Sequence, residues 1–342
     1  MRDLMKCSKL IPLFKSGNKN DPNNYRPISI LPTFSKIFEK IMLNQLLRHF
    51  NLNKLLHSEQ YGFTKGRSTI DAGAMLLKHI FDAWENSQNA IGIFCDLSKA
   101  FDCVEHETLF TKLSHYGIKN TALSLIASYL SDRIQTVCVN DVKSSGSPSL
   151  MGVLQGSILG PFMFLVYIND LPYFVHNTCD IVLFADDTSL IFKVDRNKNN
   201  FDDINNAISR VTHWFTVNNL LLNAKKTKCV IFSLPNTKTT KDINLMINND
   251  MLKVEETTVF LGITLDAKLQ WNAHISTLAG KFSSAAYAVR RIRQVTDVET
   301  AKIVYWPIST VLCLTESCYG VKRQILGKYS YYKKGQYVQF II

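Results

Sequence analysis

The chain has 342 residues, of which 46% are hydrophobic and 20% charged, a balance typical of a globular protein rather than a disordered one. No apolar run approaches the roughly 20 residues that span a bilayer, the first residues lack the apolar segment of a signal peptide, and the eight cysteines include no CxxC pair, which argues against a disulfide framework or a zinc site. The net charge of +11 favours a polyanionic partner, above all nucleic acid.

The beginning of the chain predicts a hairpin. Residues 10–31 combine two short apolar strands with a polar turn rich in asparagine and glycine. Lys15, Lys19 and Arg26 lie on or beside this hairpin, where they could face phosphates. Surface lysines are the simpler interpretation of the first two, whereas Arg26 stands between a tyrosine and a proline in a more constrained position.

Two helices follow the hairpin. Apolar residues at helical spacing predict the first over residues 34–50. A basic, glycine-containing loop at 60–69 leads into the second, near 69–86, with Ser68 or the following threonine as its cap. The backbone amides at the start of this helix, together with Arg67, could hold a phosphate.

The next strand ends on a carboxylate. Residues 91–97 have the pattern of a buried strand with Asp96 at its end, and residues 98–102 turn away from it into a helix. A single aspartate at a strand end is usually a cap. A metal ligand beside a nucleotide pocket is the alternative, because an aromatic residue follows five positions later. Helices over 106–131 and a strand over 134–140 complete this part of the chain.

A loop with two glycines opens the following apolar helix. Residues 152–161 include Gln155 and Gly156, and the helix continues through 162–168. Glycines at these positions would let the backbone approach a base pair closely, although a glycine-rich helix start is the simpler interpretation of the loop alone.

An aspartate pair marks the centre of the chain. Two apolar strand patterns over residues 181–194 flank Asp186 and Asp187, which places the pair at the tip of a hairpin. Taken alone, the pair is typical of an ordinary hairpin turn. With Asp96 as a third carboxylate it suits two-metal phosphoryl transfer, in which Mg²⁺ binds carboxylate oxygens and substrate phosphates.

The remaining elements follow the hairpin. The pattern predicts an amphipathic helix over 202–219 and a basic turn before a strand over 223–232. A turn flanked by two strands is predicted within 248–263, with residues 259–263 in the second strand. A basic helical segment is predicted over about 272–295.

Six motifs in order resemble the reverse transcriptase of non-LTR (LINE-type, Jockey-like) retrotransposons over roughly residues 10–300. They are Asn-Tyr-Arg-Pro-Ile-Ser at 24–29, Gly-Phe-Thr-Lys-Gly-Arg-Ser-Thr at 62–69, Asp-Leu-Ser-Lys-Ala-Phe-Asp at 96–102, Gln-Gly-Ser-Ile-Leu-Gly-Pro at 155–161, Phe-Ala-Asp-Asp at 184–187 and Phe-Leu-Gly at 260–262. The resemblance implies an α+β, right-hand polymerase fold with fingers, a palm built on an antiparallel sheet, and a partial helical thumb. The expected divisions are fingers and the start of the palm in 1–90, palm in 91–265, and a thumb-like basic region with an uncertain tail in 266–342.

The resemblance also implies a role for particular residues. It makes Asp96, Asp186 and Asp187 the ligands of two Mg²⁺ ions, with Mn²⁺ as a possible substitute, and Lys226, in the Asn-x-x-Lys-Thr pattern at 223–227, the proton donor to the leaving pyrophosphate. Arg26 would face the triphosphate, Phe101 would crowd the sugar 2′ position, Gln155 and Gly156 would line the nucleotide and template, and Phe260, Leu261 and Gly262 would form the primer grip. The implied partners are an RNA template, a DNA primer or target, and deoxynucleoside triphosphates, without a membrane.

Some features depart from the family pattern. Leu154 stands where the family usually has proline, and the chain is expected to begin inside the fingers, without the endonuclease of such elements. The tail, with Cys-Tyr-Gly at 318–320 and tyrosines and lysines at 329–334, is either a set of nucleic-acid contacts through stacking and charge or degenerate sequence. We expect an intracellular ribonucleoprotein of nucleus and cytoplasm. Two other functions stay open: an inactive nucleic-acid-binding relic, and another palm enzyme such as a nucleotidyl cyclase.

Overall fold

The computed structural model describes residues 6–196, 201–235, 237, 244–248, 250–300 and 302–303. The predicted tail, including 318–320 and 329–334, lies outside the described residues. The helices are Thr33–Leu52 (α1), Thr69–Glu85 (α2), His106–His115 (α3), Asn120–Leu130 (α4), Gly160–Ile168 (α5), Leu171–Val175 (α6), Asp202–Val217 (α7) and Asn272–Arg293 (α8). The strands are Cys7–Phe14 (β1), Tyr25–Ile30 (β2), Gln88–Cys95 (β3), Leu97–Ser98 (β4), Arg133–Val139 (β5), Val142–Lys143 (β6), Ser147–Ser149 (β7), Asp180–Phe184 (β8), Asp187–Asp195 (β9), Leu221–Leu222 (β10), Lys228–Phe232 (β11), Met246–Ile247 (β12), Asp250–Met251 (β13), Thr257–Phe260 (β14) and Ile263–Asp266 (β15).

A four-stranded antiparallel sheet in the order β11-β3-β9-β8 forms the centre of the molecule. Successive side chains of a strand point to opposite faces, so each strand supplies both sides of the sheet. Ile91 and Ile93 of β3 belong to one hydrophobic cluster, whereas Ala90, which points to the opposite face of the sheet, belongs to the other. Both faces are covered, which explains why β3, β8 and β9 read as nearly continuous apolar runs.

Different helices cover the two faces. The larger cluster joins the sheet to α5, α7 and α3, and every residue of the apolar α5 except Pro161 is buried. The smaller cluster joins the other face to α2, to the β14–β15 hairpin and to the start of α8 through Ile275. Ser68 caps helix α2, as predicted, and its side chain forms a reciprocal capping box with Asp71.

A second, five-stranded sheet contains the N-terminal hairpin. Its order is β2-β1-β5-β6, with β7 also pairing with β5, and β1 runs parallel to β5. The hairpin predicted over residues 10–31 is present, but its first strand begins at Cys7. Because β1 pairs with β5, backbone hydrogen bonds along the strand attach the hairpin to the rest of the protein.

Helix α1 buries a different face from the one its sequence suggests. Phe34, Ile37 and Ile41 are exposed, whereas Ser35 and Glu39 are fully buried. The carboxylate of Glu39 accepts the N–H groups of the two residues immediately before α5, Ile158 at 2.6 Å and Leu159 at 3.4 Å. Unpaired N–H groups at a buried helix start are costly, so this contact outweighs the apolar pattern.

The segment near residue 250 corrects one expectation. Residues 259–263 do not belong to the strand that follows Asp250, because β12 and β13 form a short hairpin of their own and β14 and β15 form the next one. In the described part of the chain, no helix is both long enough and apolar enough to span a membrane.

Candidate active site

The aspartate pair lies at the turn between β8 and β9. Phe184 pairs with Asp187 across the hairpin, so Ala185 and Asp186 form the turn itself. Ala185 has a φ of 56°, in the left-handed region that two-residue hairpin turns require and that residues other than glycine adopt infrequently. The turn therefore depends on contacts from neighbouring segments.

Asp96 reaches the same end of the sheet from the adjacent strand. β3 ends at Cys95, which pairs with Thr188, the residue after Asp187. The next residue along β3 in this register is Asp96, so the two carboxylates start from neighbouring backbone positions. An ordinary hairpin turn would not need a third carboxylate, and its presence favours a shared site.

These carboxylates repel one another. Burial raises the pKa of Asp187 to about 6, and the negative charges of Asp186 and Asp96 add to this effect, although Asp187 keeps contact with solvent. Burial also raises the pKa of Asp186, with Asp96 adding to the shift and Arg26 and Lys15 opposing it. Concentrated negative charge of this kind is relieved by a bound cation.

The donor set fits a magnesium-like ion. Within the described ranges, no group of three or more acidic, histidine or cysteine side chains is assembled as a ready metal cluster. Mg²⁺ does not require such a cluster, because it keeps several waters and takes further oxygen ligands from substrate phosphates. Carboxylates that lie at the same end of the sheet, and whose charges raise the pKa of a neighbouring carboxyl, therefore suit Mg²⁺.

Gln60 stabilises the turn between β8 and β9 through hydrogen bonds from its side chain. Its side-chain oxygen accepts the N–H of Gly62 at 2.8 Å and that of Ala185 at 3.1 Å, and the residue is 2% exposed. The N–H of Tyr61 donates to the carbonyl of Leu183 at 2.8 Å. The loop before α2 thus acts as an additional partner for the edge strand β8.

A second turn brings a lysine to the site. The N–H of Asn223 donates to the carbonyl of Asp96 at 2.8 Å, and the N–H of Asp96 donates to the hydroxyl of Thr227 at 3.3 Å. Because both ends of the 223–227 turn are bonded to the Asp96 backbone, Lys226 lies beside the carboxylates and lines the cleft in front of them.

That cleft has a volume of about 890 Å³ and is bounded by the N-terminal hairpin on the side facing the carboxylates. Lys15 and Arg26 come from the hairpin, so cations face anions across the cleft. Its lining includes Lys15, Asn23, Arg26, Asp96, Lys99, Phe101, Asp102, Gln155, Asp186, Asp187 and Lys226.

Phe101 lines the cleft with a supported ring. It stacks on Phe164 of α5 at 4.8 Å between ring centroids with an interplanar angle of 21°, and Phe63 stands edge-on to it at 6.5 Å. The ring is therefore fixed on two sides and keeps one surface for the cleft.

Some predicted site residues lie elsewhere. Gly156 follows the cleft residue Gln155 but packs against the hairpin, where a Cβ would stand 2.8 Å from the carbonyl oxygen of Ser29. Leu261 and Gly262 form the turn between β14 and β15, both with positive φ, and Phe260 is buried against the sheet. This hairpin does not contribute to the lining of the cleft.

The profile of the family described as "Reverse transcriptase (RNA-dependent DNA polymerase)" matches residues 17–265, which is most of the chain and includes every residue of the cleft except Lys15 and those before it. The chain belongs to the reverse transcriptase family. The resemblance to non-LTR retrotransposon enzymes is thereby confirmed at the level of the family.

Relatives of known name agree with this assignment. The RNA-directed DNA polymerase from mobile element jockey of Drosophila melanogaster is 30% identical over 284 residues, covering 81% of this chain and 31% of the relative. The probable RNA-directed DNA polymerase from transposon BS of the same species is 29% identical, covering 79% of this chain and 30% of the relative. The chain thus spans about a third of the length of the relatives it matches.

Solved structures of the same architecture confirm the fold. Candida tropicalis telomerase in complex with the TWJ fragment of telomeric RNA superposes with a TM-score of 0.58 at 12% identity, covering 95% of this chain and 56% of the telomerase. A truncated apo form of that telomerase gives a TM-score of 0.55 over 79% of this chain. This reverse transcriptase domain has the α+β right-hand polymerase fold, and its central sheet is the palm.

Several residues of the cleft were not selected from the sequence. Lys15 reads as a surface lysine, yet it lowers the pKa of both Asp186 and Asp187. Lys99, at a φ of 50°, donates to the side-chain oxygen of Asn23 at 3.2 Å and so bridges the palm to the hairpin. Gln60, which contacts the turn but does not line the cleft, was missed as well. No local pattern marks these residues, because their contacts come from distant segments.

Proposed function

We propose that this chain is an RNA-directed DNA polymerase of a non-LTR retrotransposon. The observation that carries the proposal is the single cleft in which Asp96, Asp186 and Asp187 face Lys15 and Arg26. In the reaction, a primer 3′-oxygen attacks the α-phosphorus of a deoxynucleoside triphosphate that is paired with an RNA template. The bond from the α-phosphorus to the bridging oxygen breaks, and pyrophosphate leaves.

We place two Mg²⁺ ions, which Mn²⁺ could replace, at Asp96, Asp186 and Asp187. When bound, such ions lower the pKa of the attacking hydroxyl and neutralise charge on the phosphates. The raised pKa values of Asp186 and Asp187 support this placement, because burial disfavours the charged form of both carboxyls, and the charges of Asp186 and Asp96 add to the effect at Asp187, until a cation balances them.

The cationic side chains have separate tasks in this proposal. Arg26 and Lys15 attract the triphosphate from the hairpin side of the cleft. Lys226, held beside Asp96 by the 223–227 turn, donates a proton to the leaving pyrophosphate. An ammonium group on a turn with both ends fixed is suited to this task, because little reorientation is needed when the leaving group departs.

Selection of the substrate is assigned to the other side of the cleft. The ring of Phe101, supported by Phe164, would lie against the sugar and leave no space for a 2′-hydroxyl. Gln155 and Gly156 would line the nucleotide and the template. The β14–β15 turn, at Phe260, Leu261 and Gly262, would hold the primer strand from the opposite face of the palm.

The wider assignments follow from the same proposal. Residues 1–90 would form the fingers and the start of the palm, 91–265 the palm, and 266–342 a basic thumb-like region. The partners would be the RNA template and a DNA primer, in an intracellular ribonucleoprotein. The net charge of +11 supports a nucleic-acid partner.

Extension of an oligo(dT) primer on poly(rA) with dTTP and Mg²⁺ tests the function. We expect a ladder of DNA products that requires the RNA template, and no cyclic nucleotide when ATP is supplied alone. Tight binding of the template–primer without any extension in Mg²⁺ or Mn²⁺ would instead identify the inactive relic, and cyclic AMP formation would identify a cyclase.

A further inference from the structure

The side-chain amide of Gln155 forms a hydrogen bond with a carboxylate. Its side-chain nitrogen donates to Oδ1 of Asp102 at 3.2 Å, and both residues line the cleft. Asp102 follows Phe101 directly, so the partner of Gln155 comes from the segment that carries the aromatic ring of the site. Asp102 has no role in the function proposed above.

The two segments that carry this pair are joined along their backbones. The N–H of Val153 donates to the carbonyl of Phe101 at 2.8 Å, and the N–H of Gly152 donates to the carbonyl of Val104 at 2.7 Å. Nε2 of His106 lies 2.9 Å from the carbonyl oxygen of Gly152. The Asp102–Gln155 contact therefore belongs to a continuous hydrogen-bonded unit and is not an isolated surface contact.

Close packing makes this unit rigid. Gly152 has a φ of 85°, and a Cβ there would stand 2.9 Å from the carbonyl oxygen of Asp102. On the other side, the N–H of Ser29 donates to the carbonyl of Gln155 at 2.7 Å. With its backbone held by the hairpin and its side chain held by Asp102, Gln155 has little freedom to turn.

The chemistry of the pair fixes which end of the amide is used. A carboxylate only accepts hydrogen bonds, whereas the amide has a donor nitrogen and an acceptor oxygen. Asp102 binds the nitrogen, which leaves the oxygen as the end available to a ligand. Without Asp102, either end of the amide could face the cleft, and a ligand would have to select the correct orientation at a cost in affinity.

We propose that Asp102 is a positioning residue, which orients Gln155 so that its oxygen accepts a hydrogen bond from a hydroxyl or amino group of the bound deoxynucleotide. This inference rests on the proposed polymerase function. It adds a residue that controls nucleotide affinity without contacting the nucleotide.

Binding of dTTP to the chain on an RNA template, with a primer ended by a dideoxynucleotide, tests the inference without any chemistry. We expect Asp102→Leu and Gln155→Leu each to weaken dTTP binding about tenfold. The double variant should be weakened about tenfold as well, rather than about a hundredfold, which corresponds to a coupling of about 1.4 kcal/mol. Asp102→Asn keeps an acceptor oxygen and should stay within about threefold of the wild type. Asp250→Leu, on an exposed strand away from the cleft, is the control.

Additive effects of the two substitutions would overturn the inference, and so would unchanged dTTP affinity in a folded Asp102→Leu variant. Should that variant fail to fold, Asp102→Ser, which is too short to reach Gln155, takes its place in the cycle. Because dTTP carries no amino group, repeating the cycle with dCTP and its 2′,3′-dideoxy form, on an RNA template that pairs with cytosine, separates the donors: loss of the coupling in the dideoxy form assigns the sugar hydroxyl, and its retention assigns the amino group of the base. Failure to extend an unblocked primer would count against polymerase activity, whereas additivity here counts against Asp102 alone. A wild-type chain that binds no dTTP would overturn both.

Discussion

Gly62 and Ala185 touch along their backbones: a Cβ on Gly62 would stand 2.2 Å from the amide nitrogen of Ala185. The loop before α2 thus lies directly against the turn that carries Asp186. Gln60 adds a hydrogen bond to the same amide at 3.1 Å. The geometry of the aspartate pair is therefore set by a segment more than a hundred residues earlier in the chain.

Gly62→Ala should displace the turn that carries Asp186. Because the added methyl group would collide with backbone rather than with a flexible side chain, we expect a loss of about 1–3 kcal/mol in the free energy of unfolding and at least a tenfold slower primer extension. Gly280→Ala is the control: nothing lies within 4 Å of its Cβ, and alanine favours a helix by up to about 1 kcal/mol. Unchanged extension by Gly62→Ala would show that the turn does not depend on this contact.

Phe101→Val should reduce discrimination against ribonucleotides. The ring rests on Phe164, so it cannot retreat from a 2′-hydroxyl, whereas valine leaves space for one. We expect the preference for dTTP over UTP, measured as the ratio of kcat/KM, to fall at least about tenfold, or about 1.4 kcal/mol. Phe174→Val, an aromatic residue of α6 outside the cleft, should leave the ratio unchanged. A preference that survives Phe101→Val would make this ring an ordinary core residue.

Glu39→Leu should destabilise the protein although it removes a buried carboxylate. Glu39 accepts the N–H groups of Ile158 and Leu159, and leucine would leave both without that acceptor. The expected loss is about 1–3 kcal/mol by urea unfolding. Glu39→Gln keeps one acceptor oxygen and should lose less. Equal stability of the leucine and glutamine variants would contradict the hydrogen-bonding role.

The stability of the palm should depend on pH through Asp180. Burial alone would raise the pKa of this carboxyl, but hydrogen bonds from His79 and Lys193 outweigh burial and lower it to about 2. The folded state then binds fewer protons than the unfolded state in this range, so the stabilisation is full above about pH 4 and is lost as the pH falls toward 2.

Asp180→Asn should therefore cost on the order of 2 kcal/mol at pH 7 and about half as much at pH 3. Urea unfolding at both pH values measures the difference. Asp141→Asn, in an exposed turn where asparagine also tolerates the left-handed backbone, should have little effect at either pH. An equal loss for Asp180→Asn at pH 7 and pH 3 would contradict the ion pair.

Local patterns predicted most of the secondary-structure elements and placed Asp96, Asp186 and Asp187 at strand ends, where the structure has them. The apolar runs of β8 and β9 on either side of Asp186 and Asp187 are a short-range signal, and the strand before Asp96 is equally clear. The family motifs then connected the segments in the correct order, because their spacing reflects the fold.

Contacts between distant segments were not predictable in the same way. Gln60 and Lys15 carry no local mark, and their importance follows from pairing that the sequence does not show. In α1, the spacing of Phe34 and Ile37 indicates an apolar face, yet the fold buries Glu39 to satisfy the start of α5. A polar residue that is needed by another element cannot be recognised from its own helix.

Parallel assays of primer extension and template–primer binding by Asp187→Asn test the proposed catalytic role of the cleft most directly. Asparagine keeps the size of the side chain but removes a charge from the proposed metal site, so extension should fall at least about a hundredfold, or about 2.7 kcal/mol of barrier, while binding persists. Asp195→Asn, at the opposite end of the same strand, is the matched control and should extend normally. Extension by Asp187→Asn near the wild-type rate would contradict the assignment of the catalytic cleft.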